Sequence, residues 1–295
     1  MPTASRAMSS PSDTALPPPS TALRRAFLAA CRAELEALKP GNVHVYGDGH
    51  GMTVDDFRRS AGAAAPALCR SGNSVGRRIR DAVEASWTTV PRNTNLGIIL
   101  LAAPLIAAAE EGEGTLRDRV SRVLAALTVT DAEDCFAAIA RANPAGLGRV
   151  PAQDVADTPT VTLREAMSLA AGRDLVARQY ATDYRDLFAI GVSRIAESRL
   201  HRYSATWTTT LVFLDFLAAF PDSHVARKYG ADTAESVRRE AEGLRKRLPE
   251  DPEAAFPMLL AFDRSLKERG INPGTSADLT VASLLAFEIS ELLER

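Results

Sequence analysis

The residues best suited to chemistry lie near the C-terminus, where a turn of Asn, Pro and Gly leads into a new helix. The segment reads Asn272-Pro273-Gly274-Thr275-Ser276-Ala277-Asp278, so it gathers amide, hydroxyl and carboxylate side chains. Free backbone N–H groups at a helix start suit anions, which makes Asn272 and Ser276 candidate ligands of a phosphate-bearing molecule. The simpler interpretation is a helix cap, with Thr275 as the N-cap residue and Asp278 in capping-box spacing.

A second polar segment runs from Asp222 to Gly230. Asp222 and Ser223 are suited to begin a short helix that Gly230 closes, and Arg227 and Lys228 lie in its last turn. Since Arg227 lies about one turn after Asp222, one face of this helix can present a metal-binding carboxylate beside a phosphate-binding guanidinium. The alternative is that the two basic residues only interact favourably with the C-terminal end of the helix dipole.

Two further segments combine turn residues with side chains that can bind phosphate or a nucleoside. Lys39 follows a helix and precedes a Pro-Gly turn, so it is either a flexible cation that reaches a phosphate or a favourable charge at a helix C-terminus. Asn93, Thr94 and Asn95 precede an apolar run, where they either cap the next helix or hydrogen-bond to a ribose or a base. Gly97, which has no side chain, would allow the ribose or the base to approach the backbone closely.

Three residues are candidates for a general base. His50 lies in a glycine-rich loop, and histidine titrates near neutral pH. Glu84 and Glu197 compete for this role, although both lie on predicted helices, where a solvent-exposed glutamate is the ordinary case. His44 and His50 could suggest a metal, but no third ligand has convincing spacing, so we reject a zinc site.

Helices must position these segments, because Ala, Leu, Arg and Glu recur at helical spacing and alternating Val, Ile, Thr and Tyr stretches are scarce. We predict an all-α fold, a single multi-helix domain over residues 21–295 whose separated segments converge on a central cleft. Thr53 with Asp56 should cap one helix, and residues 143–159 should form a long surface connection. The predicted helices cover residues 23–38, 75–86, 95–110, 116–127, 131–142, 163–171, 174–180, 184–188, 192–203, 207–220 and 233–248, with a last one after the 272–278 turn.

Composition narrows the class of protein. The chain has 295 residues, of which 46% are hydrophobic, enough to fill a sizeable core. A net charge of -2 gives no electrostatic reason to expect nucleic acid. Three widely separated cysteines suggest neither disulfides nor a zinc cluster, so a reducing cytoplasm is the expected location.

The polar N-terminal segment and the longest apolar run of the chain also indicate structure. Residues 1–20 are rich in Pro, Ser, Thr and Ala, and we predict that they form a disordered extension. The longest apolar run, Leu96–Ala109, is interrupted by Pro104 and is too short to span a bilayer, so it should be a buried helix with a kink, and no membrane partner is expected.

Five motifs in a fixed order produce a family resemblance that spans roughly residues 25–290. They are Lys39-Pro40-Gly41-Asn42-Val43, Gly49-His50-Gly51-Met52, Asn93-Thr94-Asn95-Leu96-Gly97, Asp222-Ser223-His224-Val225-Ala226-Arg227-Lys228-Tyr229-Gly230 and the closing segment 270–279. In these motifs the chain resembles the triphosphoribosyl-dephospho-CoA synthase family. It departs from the family pattern at Asn95-Leu96, where the family has His-Lys, and at Thr275, where the family has a second Gly. The sequence around Asn95-Leu96 resembles a divergent branch of this family, found in archaea and in bacteria that use tetrahydromethanopterin or methylofuran.

The resemblance implies an ATP-dependent pentosyltransferase. In the family's reaction a 2′-hydroxyl of 3′-dephospho-CoA displaces adenine from the ribose C1 of ATP, and the triphosphate stays on the transferred sugar. A triphosphate needs positive charge beyond a few side chains, so Mg²⁺ is expected, with Asp222 and Asp278 as carboxylate ligands. The residues implied in triphosphate or nucleotide binding are Lys39, Asn93, Thr94, Asn95, Ser223, Arg227, Lys228, Asn272 and Ser276.

Two alternatives remain open at this point. The acceptor could be an intermediate of a one-carbon carrier cofactor, in tetrahydromethanopterin or methylofuran biosynthesis. Alternatively, the chain could be a nucleotide-binding or assembly protein without catalysis, although retention of so many charged groups speaks against this. A generic ATP hydrolase is disfavoured because no Gly-x-x-x-x-Gly-Lys-Ser/Thr loop occurs. A homodimer is left open.

Overall fold

Fourteen α-helices and one π-helical segment make up the part of the chain that the computed structural model describes, namely residues 19–49, 51–144, 146, 148 and 152–294. These residues contain no β-strand, only isolated bridges between His44 and Gly47 and between Gly49 and Met52. The prediction of an all-α fold is therefore confirmed. The helices are α1 Pro19–Glu36, α2 Val54–Leu68, α3 Val75–Thr89, α4 Leu96–Ala109, α5 Leu116–Ala125, α6 Val129–Ala142, α7 Leu163–Ala170, α8 Leu175–Ala181, α9 Ser193–Leu200, α10 Ala205–Ala219, α11 Ser223–Tyr229, α12 Ala231–Arg247, α13 Pro252–Glu268 and α14 Gly274–Leu293.

The helix boundaries differ from the predicted ones in three informative places. Helix α1 already begins at Pro19, whereas residues 1–18 lie outside the described part of the chain. The helices predicted at 184–188 and 192–203 are joined, because the π-helical segment Leu187–Val192 continues directly into α9. Helix α13 was not predicted, although Asp251 caps it and Pro252 occupies its first position, a typical start signal.

Two hydrophobic clusters form the core. The larger one surrounds α4 and α14, which bury residues on all sides. A helix that is apolar all round belongs in the interior, and α4 carries no charged residue. The smaller cluster lies among α10, α11, α12 and α13. No helix among the described residues combines the length and the apolar character that a membrane span requires.

The proline inside α4 explains why the hydroxyl of a buried tyrosine, Tyr180, reaches this helix. Pro104 has no N–H group, so the carbonyl of Leu100, four residues earlier, loses its helical donor. The hydroxyl of Tyr180 donates to this carbonyl at 2.6 Å, and the hydroxyl of Tyr184 donates to the neighbouring carbonyl of Leu101 at 3.0 Å. Both tyrosines are fully buried. Tyr180 therefore satisfies the carbonyl that Pro104 leaves without a helical donor, and Tyr184 adds a second hydrogen bond to α4.

Tyr180→Phe is expected to lower the free energy of unfolding by about 1–3 kcal/mol, because a buried carbonyl is left without a donor. Chemical denaturation of the variant measures this change. Tyr46→Phe is the matched control, since Tyr46 is half-exposed and should change stability by less than about 0.5 kcal/mol. Equal effects of the two substitutions would contradict the role assigned to the Tyr180 hydroxyl.

Candidate functional site

A cavity of about 480 Å³ lies where α1, α4, α6, α7, α8, α11 and α14 meet. This volume falls within the range of small-molecule sites. Its apolar lining comes mainly from α4, α6 and α7, whereas its charged lining comes from α1, the starts of α8 and α14, and α11. The described residues of the 143–159 connection also line it, among them Pro144, Gly146 and Asp154. The cavity thus has both an apolar and a charged part.

Helix α14 begins differently from the prediction. Its N-cap residue is Pro273, and no side chain caps it. The N–H of Gly274 donates to the carbonyl of Asn272 at 2.8 Å, which closes the turn before the helix. The helix starts at Gly274, and Thr275 therefore lies in its first turn and not at the N-cap position. The hydroxyl of Thr275 accepts from the N–H of His224 at 3.2 Å. The predicted Thr275/Asp278 capping box is therefore wrong, whereas the box predicted for Thr53 and Asp56 is present.

The absence of this box leaves Asp278 directed at the cavity. Among the described residues no hydrogen bond or ion pair involves its carboxylate, and the side chain lies against Gly97 at the start of α4. Burial is the main cause that raises the pKa of Asp278 well above its usual range, followed by the charges of Asp222 and Glu34. The close approach expected at Gly97 is thus made by a carboxylate of the protein.

Asp222 has a different environment from Asp278. One carboxylate oxygen accepts from the N–H groups of His224 and Val225 at 2.9 and 3.2 Å, which confirms that Asp222 caps α11. The other oxygen accepts from the N–H and the hydroxyl of Ser276 at 2.7 and 2.8 Å. Asp222 and Ser276 are both buried, and they join α11 to α14 behind the cavity wall. Direct binding of a metal by Asp222 or of phosphate by Ser276 stays a prediction and would require these bonds to open.

The cations predicted on α11 separate into one that lines the cavity and one that does not. Arg227 lines the cavity, and its Nη1 lies 2.5 Å from the Asp174 carboxylate. The Nε of Arg227 is buried without a hydrogen-bond partner among the described residues. Lys228 is exposed, with its Nζ 5.1 Å from the ring centroid of Tyr229. Arg227 therefore lines the cavity with a guanidinium whose enclosed Nε–H is not used by the described residues.

Ser223 and Lys39 are both buried, and neither is among the residues that line the cavity. The hydroxyl of Ser223 accepts from the N–H of Leu175, so it links α11 to α8. Lys39 is fully buried, and its Nζ lies 3.1 Å from Glu34 and donates to the carbonyl of Val43 at 2.7 Å. The side chain is thus held inside the protein in an ion pair, which differs from the flexible cation reaching a phosphate that we expected.

The predicted amide and hydroxyl ligands also separate. Asn93 and Thr94 line the cavity, and so does Asn272. Asn93 accepts from the N–H of Leu96 at 3.3 Å and so stabilises the start of α4. Asn95 is buried, accepts from the hydroxyl of Ser86 at 2.8 Å and does not cap α4 with its side chain. The capping interpretation is therefore confirmed for Asn93 and wrong for Asn95.

The two predicted bases that the structure describes, Glu84 and Glu197, do not line the cavity. His50 lies outside the described residues. Glu84 pairs with Arg141 on the surface at 2.8 Å, and the half-exposed Glu197 pairs with Arg194 at 2.5 Å. The carboxylates that do line the cavity are Glu34, Asp154, Asp174 and Asp278. Sequence analysis missed Glu34 and His224, which lie on helices, and Arg173, which lies in the turn between α7 and α8, because a single residue carries no signal of what its side chain faces.

The residues of the cavity fit Mg²⁺ that arrives with a phosphate ligand. The described residues contain no group of three His, Cys, Asp or Glu side chains that could hold a metal without further ligands. Mg²⁺ commonly takes one or two carboxylates and completes its shell with water and phosphate oxygens. The enclosed and unpaired carboxylate of Asp278, destabilised by its acidic neighbours, is a suitable donor of this kind.

Comparison with known proteins gives one family and one fold. A model of the family described as ATP:dephospho-CoA triphosphoribosyl transferase matches residues 20–295. A crystal structure from Archaeoglobus fulgidus, provisionally named a triphosphoribosyl-dephospho-CoA synthase, is similar with a TM-score of 0.61 and 23% sequence identity. The alignment covers 77% of this chain and 96% of that one, and at this identity it shows a shared fold. No curated protein matches the sequence.

Proposed function

The chain belongs to the ATP:dephospho-CoA triphosphoribosyl transferase family, and from this membership we propose that its cavity is the site where adenine of ATP is replaced by a hydroxyl of 3′-dephospho-CoA. The observation that supports this placement most directly is that the cavity is lined both by Asp278, whose carboxylate has no partner among the described residues, and by Arg227, whose Nε has none among them either. The two alternatives left open by the sequence, a one-carbon cofactor acceptor and a non-catalytic nucleotide-binding or assembly protein, have no support from the family comparison.

The cavity offers a separate environment to each part of the substrates. The first turns of α4 and α14 line it, and the positive ends of their helix dipoles favour the triphosphate. Arg227 adds a charged donor on the same side. The apolar side chains of Phe136, Ile139 and Met167 suit an uncharged group such as adenine. Asn93 and Asn272 lie between helices as hydrogen-bonding groups for the ribose.

Mg²⁺ is part of this proposal, with Asp278 as the protein ligand. When bound, the ion would neutralise charge on the triphosphate. Asp278 would hold the triphosphate end in place through it, while Arg227 contacts the phosphates directly. Mg²⁺ would thus attract the Asp278 carboxylate, which without the ion would repel the phosphates. Asp222, as a second ligand, stays a prediction, as do a cytoplasmic location, the absence of nucleic-acid partners and a homodimer.

Release of free adenine is the direct test of the proposed reaction. The protein is incubated with Mg-ATP, with and without 3′-dephospho-CoA, and adenine is measured by chromatography. We expect release that depends on dephospho-CoA, together with a product that carries both the acceptor and the triphosphate. Saturable Mg-ATP binding without adenine release would contradict the proposed transfer, and release of inorganic phosphate would indicate hydrolysis.

Arg227→Ala is expected to weaken ATP binding by about 10-fold or more, because a charge-assisted hydrogen bond to phosphate contributes about 1.5–3 kcal/mol. Adenosine binding should change far less, since adenosine has no phosphate. Isothermal titration with both ligands measures the difference. Lys228→Ala is the matched control, because it removes the same charge from the adjacent, exposed position. Equal losses for ATP and adenosine in Arg227→Ala would show that Arg227 does not bind the triphosphate.

A further inference from the structure

Glu34 is a cavity carboxylate that no motif singled out. It lies in the last turn of α1, its side chain is only 5% exposed, and the accessible part faces the cavity. Carboxylates are almost never buried to this extent unless a partner compensates for the lost solvation. A glutamate with an ordinary structural role would be expected at the surface, where the next acidic residue of the helix, Glu36, is found.

The partner of Glu34 is Lys39, which lies behind the cavity wall. Lys39 Nζ lies 3.1 Å from Oε1 of Glu34 and donates to the carbonyl of Val43. Among the described residues no hydrogen bond or ion pair reaches Oε2 of Glu34. One oxygen is therefore held from behind, while the other is left for a group inside the cavity. A buried pair of this kind contributes little to stability compared with apolar residues of equal volume, so its presence at a cavity points to a function.

The other carboxylates of the cavity are less suitable for accepting a proton from a substrate. Asp174 pairs with Arg227 and also caps α8 by accepting from two N–H groups. Asp154 accepts from the N–H of Ala156 within its own turn. Asp278 is the carboxylate that we assign to the metal. Glu34 thus combines access to the cavity with an oxygen that no described residue of the protein contacts through a hydrogen bond or an ion pair.

We propose that Glu34 is the general base that accepts the proton of the attacking hydroxyl, and that Lys39 is the residue that positions Glu34. This inference rests on the proposed function. In the step, the hydroxyl oxygen of the acceptor forms a bond to C1′ of the ATP ribose as the bond from C1′ to adenine breaks. The hydroxyl proton moves to Glu34, and adenine leaves with the electron pair of the broken bond. Adenine takes up a proton from solvent, and Glu34 returns its proton to solvent, so the charges balance.

The pH dependence of the reaction separates this role from a structural one. Burial is the main cause that raises the pKa of Glu34, and Lys39 lowers it through its charge and hydrogen bond. Removal of Lys39 should therefore raise the pKa of Glu34 and move the acid limb of the rate profile to higher pH. The other charged or titratable side chains around the pair and the cavity are Cys31 on the same helix, His44 before α2, Asp154 in the 143–159 connection, Arg173 and Asp174 before α8, His224 and Arg227 on α11, Asp278 on α14, and Asp263 and Lys267 on α13 behind Lys39.

The test compares Glu34→Gln with Glu36→Gln, an exposed change on the same helix. We expect Glu34→Gln to lower kcat for adenine release at least about 100-fold, the usual contribution of a general base, while Mg-ATP affinity changes less than 3-fold. Glu36→Gln should leave both unchanged. Lys39→Met should retain activity with its acid limb shifted to higher pH. A Glu34→Gln enzyme with wild-type kcat, or one that loses kcat and Mg-ATP affinity in parallel, would overturn the proposal.

Two further controls distinguish a failure to fold, and a failure of the proposed function, from a failure of the role of Glu34. If a single substitution leaves an unpaired buried charge and the protein does not fold, Glu34→Gln/Lys39→Met removes both charges together. A folded double variant that binds Mg-ATP but releases adenine at the wild-type rate also overturns the proposal. Wild-type protein that releases no adenine at all would overturn the proposed function itself, whereas wild-type release with an active Glu34→Gln variant overturns only the role of Glu34.

Discussion

Asp278→Asn is expected to abolish dephospho-CoA-dependent adenine release and the Mg²⁺-dependent part of ATP binding. The carboxylate is enclosed by the cavity wall and has no protein partner among the described residues. An amide of the same shape keeps the packing but loses the charge that a hard cation requires. Loss of a group that stabilises charge in an active site commonly costs about 100-fold to 1000-fold in rate. Titration of ATP with and without Mg²⁺ separates the metal contribution from the rest.

The same substitution should increase thermal stability at neutral pH. Burial raises the pKa of Asp278 in the folded protein, with further contributions from Asp222 and Glu34. The unfolded chain therefore loses this proton first as pH rises, and the folded state loses stability between the unfolded and the folded pKa. Asn has no such penalty. We expect the Tm of Asp278→Asn to exceed that of the wild type by at least about 2 °C at pH 7, and this gap to close toward pH 4 and below.

Glu288→Gln is the matched control for both measurements, because Glu288 lies exposed on the same helix, α14. It should change neither Mg-ATP affinity nor the pH dependence of Tm. Unchanged Mg-ATP affinity in Asp278→Asn would remove Asp278 from the metal site. A lower Tm at neutral pH would mean that the carboxylate is stabilised by groups other than those described.

Gly97→Ala is expected to reduce adenine release by about 100-fold while stability changes little. A Cβ at position 97 would come within 2.5 Å of Cγ of Asp278, so the carboxylate must swing away from its place in the cavity wall. Misplacement of a ligand-positioning group by about 1 Å can cost on the order of 100-fold in rate. The end of an Asp side chain can move, and Ala favours helix more than Gly does, so the free energy of unfolding should change by less than about 1 kcal/mol. Steady-state kinetics and chemical denaturation together measure the two effects.

Two other glycines provide controls with opposite outcomes. Gly76→Ala places its Cβ 2.5 Å from the backbone Cα of Asp131, and backbone atoms cannot move aside, so it should destabilise the protein by about 1–3 kcal/mol or more. Gly62→Ala on α2 has open space around it and should be neutral. If Gly97→Ala acts through Asp278, it should cost no further activity in an Asp278→Asn background. Additive losses in the double variant would contradict the mechanism.

Features that depend on residues close together in the chain were predictable. The capping box of Thr53 and Asp56 and the cap of α11 by Asp222 were predicted correctly, because each needs only a side chain and an N–H two or three residues later. The buried character of α4 followed from its sequence, which carries no charged or strongly polar residue between Leu96 and Ala109. The ordered motifs also sufficed to indicate the family, since they preserve residue type and order.

Features that depend on partners far apart in the chain were decided only by the tertiary structure. The Thr275/Asp278 pattern satisfied a capping box equally well, but the turn at Asn272 and the N–H of His224 left Asp278 to face the cavity. The sequence around Lys39 predicted a flexible cation that reaches a phosphate, whereas the fold encloses Lys39 in an ion pair with Glu34. Local sequence determined the helices, their caps and the residue types available for chemistry. Burial arises only when the helices pack against one another. Packing decides which side chains face the cavity, and it determines the free-energy cost of each enclosed charge.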